Sequence, residues 1–415
     1  MTMTAPAEHP DATTDEKRWL TRGVAGIGTA SLLADVGHEV PTALLPSLLT
    51  STLGAPAAAL GLIEGISDGL AGAARLAGGA LADDPARRRS IAVGGYASTA
   101  VLASLTGAAT AVWQVGILRA GAWAARGLRV PARNALLADV VHPKAYGRAY
   151  GFERMMDNFG AIFGPLLALG LVAAVGVRWA IGLSVIPGIL AAVAIVYAIR
   201  HTPAASAKAR VPLRIRIKPV LRGDLGRLMG AVTAFEVGNV AATLLILQAT
   251  QLLTPGHGTD TATTLALALY TLYNIAATVA SIPAGRFADR LGTRGPIRVL
   301  TAGVALFALA YLGFAVTGTN LVVLALPFLA AGLAIGCVET AQHAAVATLA
   351  PAEIRGSAFG LLATIQAGGN FVASAITGVL WTFVSAQAAF FYLTAWMVLA
   401  LVGLALASRR HSTSS

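Results

Sequence analysis

The sequence predicts an all-α polytopic membrane protein: twelve transmembrane helices arranged as two six-helix repeats. Composition, the placement of basic residues and a pair of internal echoes each point that way. Of the 415 residues, 56% are hydrophobic and 12% charged, roughly half the charged share of an ordinary soluble domain. A soluble core cannot absorb that much apolar surface. A bilayer can, since each helical crossing takes about 20 consecutive, mostly apolar residues. The 45 glycines suit a fold in which close helix packing replaces the hydrophobic effect as the cohesive force.

The chain divides into an N-terminal tail (1–22), a six-helix half (23–199), a connecting loop (200–227), a second six-helix half (228–407) and a short tail (408–415). Residues 1–18 are polar and end in Asp15-Glu16-Lys17-Arg18, so no cleavable signal peptide is expected. Apolar helices are expected at 23–48, 58–82, 90–110, 112–132, 149–174 and 178–199, then at 228–253, 262–286, 297–318, 321–349, 354–382 and 386–407. With the N-terminus inside, all 30 lysines and arginines fall on the inner face except Arg178, outside, and Arg75, Arg119 and Arg154, within apolar runs. Arg126, Arg129 and Arg133, at the inner end of the fourth helix, count toward that inner set. This asymmetry is the positive-inside rule. It implies cytoplasmic termini in a bacterial inner membrane, and it assigns the net charge of +11 to topology and anionic-lipid contact rather than to nucleic acid. In the connecting loop Leu213-Arg214-Ile215-Arg216-Ile217-Lys218 alternates apolar and basic residues, which suits a segment along the headgroups or a solvated linker equally. A single cysteine, Cys337, excludes an internal disulfide and any multi-cysteine metal site.

Two echoes relate the halves. Gly79-Ala-Leu-Ala-Asp83 returns as Gly285-Arg-Phe-Ala-Asp289, and Gly147-Arg148-Ala149-Tyr150-Gly151 returns as Gly356-Ser357-Ala358-Phe359-Gly360. Two matches at nearly one offset imply parallel repeats about an axis along the membrane normal. The stretch Gly285 to Arg294, with Asp289, Arg290 and Gly292, resembles the loop signature of the major facilitator superfamily, with Thr293 replacing one basic residue. The first copy keeps Gly79, Asp83, Arg87 and Arg88 but departs at Asp84 and Ala86. In physical terms, the glycine admits a neighbouring helix and the aspartate can meet that helix's positive N-terminal end, a charge latch that must break when the halves rock. Arg119 is similar to the buried arginine of a second superfamily signature, although Trp123 stands where glycine is usual. Gly160, Gly164 and Pro165 in the fifth helix resemble the glycine-proline signature of the drug/proton antiporter branch, with Ala168-Leu169 replacing the glycine pair that follows. Gly65-Ile66-Ser67-Asp68-Gly69 fits a hydrolase elbow, but it lies within a helix instead of a strand-turn-helix context. Gly61, Gly65 and Gly69 are expected to form a small-residue packing ridge.

Ionisable groups inside hydrocarbon cost roughly 2.5–3.5 kcal/mol each on insertion scales, so they are functional candidates. The first helix carries Asp35, His38 and Glu39 on one face, with Asp35 about 20 Å from Arg22. The second carries Glu64 and Asp68, one turn apart. The fifth carries Glu153, Arg154 and Asp157, about 8–14 Å from Arg148, a structural ion network ahead of a substrate contact. The C-terminal half offers Glu236 and Asn239, Asn274, Glu339 and His343, Gln366 and Asn370. Proton coupling is expected at Asp35, Glu39, Glu64, Asp68 or Glu236, with the acids of the first two helices the economical choice, because like charges one turn apart favour sharing a proton. His38, Arg119, Asn239, Asn274, Glu339, His343, Gln366 and Asn370 are the expected cavity lining. Glu339 and His343 are too few ligands for a metal, and neither metal nor cofactor is expected.

The resemblance implies a monomeric secondary transporter, not an enzyme. It would move a small organic molecule by alternating access, with protons and the bilayer as its other partners. Efflux by proton antiport is the expected direction. A proton-linked uptake symporter is the rival within transporters, and a non-transporting receptor or scaffold the rival from another class.

Overall fold

The computed structural model describes residues 19–202 and 216–409, and every regular element among them is helical. The tail to residue 18, loop residues 203–215 and the end from 410 lie outside the described residues, with Lys17, Arg18, Lys208, Arg210, Arg214, Arg410 and half of the alternating loop segment. The first half comprises α1 (Arg22–Ser47), α2 (Ala57–Ala82), α3 (Pro85–Leu105), α4 (Val112–Val140), α5 (Tyr146–Leu183) and α6 (Val185–Arg200). The second comprises α7 (Gly223–Val237), α8 (Ala242–His257), α9 (Thr259–Arg290), α10 (Gly295–Val316), α11 (Leu321–Leu349), α12 (Arg355–Phe383) and α13 (Ala386–Arg409). Side-chain caps start several of them: Thr21 accepts from Val24 N, Asp84 from Ala86 N with Pro85 following it, and Asn320 from Val322 N and Val323 N.

Eight described stretches are long and apolar enough to cross a membrane. One of them, Pro143–Arg200, has 58 residues, enough for two crossings at about 20 residues each. The long helices outside that set are α1, α2 and α4, the ones that carry most of the charges described below. Their surroundings are apolar outward: Trp113, Trp179, Phe371 and Phe383 are all exposed, as a lipid-facing surface requires. Packing repeats between the halves. α2 packs on α4 as α9 does on α11, α3 on α4 as α10 does on α11, and α1 on α5 and α6 as α7 does on α12 and α13.

Four expectations change. The third helix begins at Pro85, not at 90. The fourth runs to Val140, not 132, and carries Pro131 internally, so Arg126, Arg129 and Arg133 lie within the helix and not at its end. Arg129 and Arg133 are buried inside the first half. The seventh crossing is broken: α7 ends at Val237 and α8 begins at Ala242. Neighbouring side chains cap the interruption, since Val240 N donates to Tyr311 Oη at 3.1 Å and Ala241 N to Ser374 Oγ at 3.0 Å. Non-helical backbone at membrane depth is tolerated where protein satisfies it in this way. Finally, Gly61, Gly65 and Gly69 form no packing ridge, because a Cβ at any of them would meet no atom within 4 Å. The expected fifth and sixth helices are otherwise in place, separated by Gly176, whose φ of 79° breaks α5.

Candidate functional site

The two echoes prove to be each other's partners. Gly79 of α2 sits against α12, where a Cβ would lie 2.7 Å from Gly356 O and 2.8 Å from Gly360 Cα. Gly285 of α9 sits against α5, where a Cβ would lie 2.1 Å from Gly147 O. Only glycine permits such backbone contact between halves. Each aspartate then meets the start of the helix it approaches. Asp83 accepts from Ser357 N at 2.8 Å and from Ser357 Oγ at 2.5 Å. Asp289 accepts from Gly147 N (2.7 Å), Arg148 N (3.0 Å) and Arg148 Nε (2.7 Å). Arg148 and Ser357 occupy matching places in the repeat, so one seam has a charged clasp and the other a neutral one. Burial pushes the Asp83 carboxyl above the ordinary carboxylate range, and its bonds from Ser357 and the charges of Arg216 and Arg88 oppose that shift.

The basic residues of this loop behave unevenly. Arg87 pairs locally with Asp84 at 3.3 Å. Its neighbour Arg88 is the one that bridges, donating to Ala82 O and Asp139 Oδ2 and, across the seam, to Ala352 O at 3.2 Å. Arg290 and Arg294 are exposed and form no ion pair among the described residues, and Gly292 turns the chain with a φ of 71°. A crevice of about 1010 Å³ opens here, lined among others by Lys144, Arg148, Arg286, Asp289 and Arg290.

From this closed end the halves part. Gly79, Gly72 and Gly65 share one face of α2, being seven residues apart. The face touches α12 at Gly79, is within 3.4 Å of Thr364 Oγ1 at Gly72 O, and meets nothing at Gly65. Asp68 is exposed beside that face, and Arg75 reaches across it to Ala363 O at 3.3 Å.

Most acids of the first half have donors from α1 or α4. His38 lies between Asp35 Oδ1 (3.3 Å) and Glu39 Oε1 (3.4 Å). Arg126 reaches Asp35 at 3.4 Å, Arg119 pairs with Glu64 at 2.9 Å, and Trp123 Nε1 donates to Asp68 at 2.9 Å. Arg119 also stacks 3.4 Å from the Trp123 ring centroid, a contact that glycine at 123 would forfeit. Glu64 and Asp68 therefore have separate partners. Gly160 and Gly164 bring α5 onto α1 at the acids themselves: added Cβ atoms would lie 2.6 Å from Asp35 Cβ and 2.4 Å from Glu39 Cβ. Below them Arg133 joins Glu153 (2.7 Å) and Asp157 (3.6 Å), while Arg154 joins Glu153 (2.7 Å) and Asp157 (3.0 Å). Ser31 Oγ donates to Glu153 at 2.8 Å and completes this network.

The second half is built from amides. Glu236, 3% exposed, accepts from Asn239 Nδ2 and Gln342 Nε2, each at 3.0 Å. Gln366 Nε2 donates onward to Gln342 Oε1 at 2.8 Å, and Asn370 Nδ2 to Asn239 O at 2.9 Å. No basic side chain lies within ion-pair distance of Glu236 or Glu339 among the described residues. His343 is buried against Tyr150 and Phe359, with Nδ1 2.7 Å from the backbone carbonyl of Glu339. No group of three metal-ligating side chains occurs among the described residues. Asn274 donates to Tyr270 O at 2.9 Å, beside the stacked Tyr270 and Tyr273 rings.

Sequence reasoning passed over Arg126, Arg129 and Arg133, which lie near one another on α4, and Gln342, three residues from Glu339. The arginine spacing of three and four residues was the available signal. Extending the fourth helix to Val140 would have moved them from its end into the bundle.

Comparison with known proteins gives one family. The model of the Major Facilitator Superfamily matches residues 27–247 and again 228–415. An uncharacterized MFS-type transporter of Methanocaldococcus jannaschii is 28% identical over 91% of this chain and 93% of its own. An uncharacterized protein of Mycobacterium tuberculosis is 28% identical over 82% of each chain. Among solved structures, a bacterial homologue of the iron transporter ferroportin, in an outward-facing state, aligns with a TM-score of 0.76 at 14% identity, covering 94% of this chain and 100% of that one. The human organic anion transporter MFSD10 aligns with a TM-score of 0.69 at 16% identity, over 92% and 99%.

Proposed function

Because the chain belongs to the major facilitator superfamily, and is therefore a multi-pass secondary transporter and not an enzyme, we propose that it exports a small organic molecule in exchange for protons. The observation that carries the coupling is Glu236. It is buried, its side-chain partners among the described residues are neutral amides, and it sits at the break between α7 and α8. A buried carboxylate without a cation is costly when charged, and proton uptake removes the charge without any other rearrangement of partners. Asp35, Glu39, Glu64 and Asp68 remain coupling candidates. Asp35 and Glu64 each have an arginine at their side, so protonation there also gives up an ion pair, whereas Asp68 accepts from the neutral Trp123 indole. The contact of Gly160 and Gly164 with Asp35 and Glu39 supports the antiport reading, since it ties the glycine-proline stretch to the acidic face of α1.

In this reading the Asp83 and Asp289 end is cytoplasmic, as are both termini and the connecting loop, in a bacterial inner membrane. The closed seams then make this the outward-facing state, in which substrate leaves between α2 and α12 near Asp68. Opening requires Asp289 to leave Gly147 and Arg148, and Asp83 to leave Ser357. Coupling follows if the protonated and charged forms of Glu236 favour different arrangements of the halves. An unbiased substrate screen on purified protein in pH-gradient liposomes tests the proposal. Uphill movement of one compound class, lost with a protonophore, is expected. Movement that tracks a sodium gradient and ignores pH would defeat it.

A further inference from the structure

A second polar site lies inside the first half, away from the gap. α1, α3, α4 and α6 enclose a cavity of about 10 Å³ whose walls include Ala34, His38, Tyr96, Thr99, Arg129 and Gly188, room for one particle of water size. Arg129 is 2% exposed and Tyr96 1% exposed, and the guanidinium carbon stands 4.1 Å from the Tyr96 ring centroid. Arg129 has no carboxylate within ion-pair distance among the described residues. Arg129 Nε and Tyr96 Oη are both buried without a hydrogen-bond partner.

The other polar groups on the wall are committed elsewhere. Thr99 Oγ1 donates to Gly95 O at 2.7 Å. His38 has Nδ1 3.3 Å from both Ala34 O and Asp35 Oδ1, and Nε2 3.4 Å from Glu39 Oε1. The unpaired atoms are thus an N–H that can only donate and a hydroxyl free to donate, beside a buried cation. Orphaned buried polar atoms in a native fold call for a missing partner. Water would satisfy the hydrogen bonds but bring no counter-charge to Arg129, for which Asp35 acts only from beyond ion-pair distance. A monatomic anion satisfies both.

We propose that this cavity binds one halide ion, chloride under ordinary conditions, held by Arg129 and the Tyr96 hydroxyl. The ion completes the packing of α3 and α4 against α1 at the level of His38, so its occupancy stabilises the first half. The proposal does not depend on the substrate or the coupling ion.

The test uses the purified full-length protein in detergent. Radiolabelled chloride binding is measured by equilibrium dialysis, and thermal unfolding is followed as sodium gluconate is replaced by sodium chloride at constant ionic strength. Saturable binding of one ion per chain is expected, with a midpoint of unfolding that rises over the same concentration range. Tyr96→Phe keeps the ring and removes the hydroxyl, and should weaken chloride binding about tenfold or more, the worth of a hydrogen bond to a charged group. Arg129→Gln should abolish it. If Arg129→Gln does not fold, Tyr96→Phe decides. Absence of saturable chloride binding to the wild type would overturn the proposal, leaving water as the occupant. So would binding that Tyr96→Phe leaves unchanged.

Discussion

Replacing Asp289 with asparagine should shift the resting conformation, and the size of the shift can be worked from the contacts. The carboxylate accepts three hydrogen bonds, from Gly147 N, Arg148 N and Arg148 Nε. An asparagine oxygen can face either Gly147 or Arg148, and the amide nitrogen then faces a donor at the other site. At least one bond to a charged acceptor is lost, worth about 1.5–3 kcal/mol, and the remaining ones weaken because their acceptor is neutral. About 3 kcal/mol against the closed arrangement is a fair total, on the order of a 100-fold change in the closed-to-open ratio. Spin labels at Ser90 and Glu353, both exposed near the α2–α12 seam, report that ratio by pulsed dipolar spectroscopy in a variant whose Cys337 is replaced. The longer-distance population should grow in Asp289→Asn, and transport should slow more than equilibrium substrate affinity falls. Unchanged distance distributions, or unchanged flux with a large loss of affinity, would refute the latch.

Other perturbations separate closure from folding and fix the topology. Gly147→Val should block transport, since its Cβ would lie 2.3 Å from Gly285 O, whereas Gly61→Val should be tolerated; equal flux in the two would contradict the seam. Arg133→Gln takes the α4 partner from buried Glu153 but leaves it Arg154, so it should cost less than the about 3–5 kcal/mol of a wholly unpaired buried charge, read as a lowered unfolding midpoint. Arg87→Gln, whose pair is local and partly exposed, should change that midpoint little. Cysteines introduced at Thr52 or Thr259 should react with an impermeant thiol reagent in intact cells, and labelling near Ser206 instead would invert the proposed orientation.

Much of the fold was legible because bilayer-spanning helices must be long, apolar and internally hydrogen-bonded, and positions such as Leu321–Leu349 emerged as expected. The glycine and aspartate echoes were legible as a repeat, but their pairing was not, because one sequence carries no information on which helix each glycine faces. The charge of α4 misled for a definite reason. Arg126, Arg129 and Arg133 follow an apolar run and flank Pro131, the pattern of a helix end at a headgroup layer, yet Asp35, Glu153 and Asp157 on two other helices balance two of them inside the bundle. The acids were found one by one, while Trp123, Gln342 and Ser31 were not recognised as their partners, since one sequence does not say which donor faces which acid. The break after Val237 was hidden for a similar reason: Gly238 and Asn239 interrupt an apolar run too briefly to divide it.

The central claim is that a proton bound in the second half drives transport. pH-gradient-driven accumulation in proteoliposomes tests it, with wild type, Glu236→Gln and the Asp35→Asn/Asp68→Asn double variant measured beside downhill substrate exchange. Glu236→Gln keeps the shape of the side chain but cannot release a proton, so uphill accumulation should disappear while downhill exchange survives. Full gradient-driven accumulation by Glu236→Gln would contradict the account. Loss of accumulation in the double variant alone would then return the coupling site to α1 and α2.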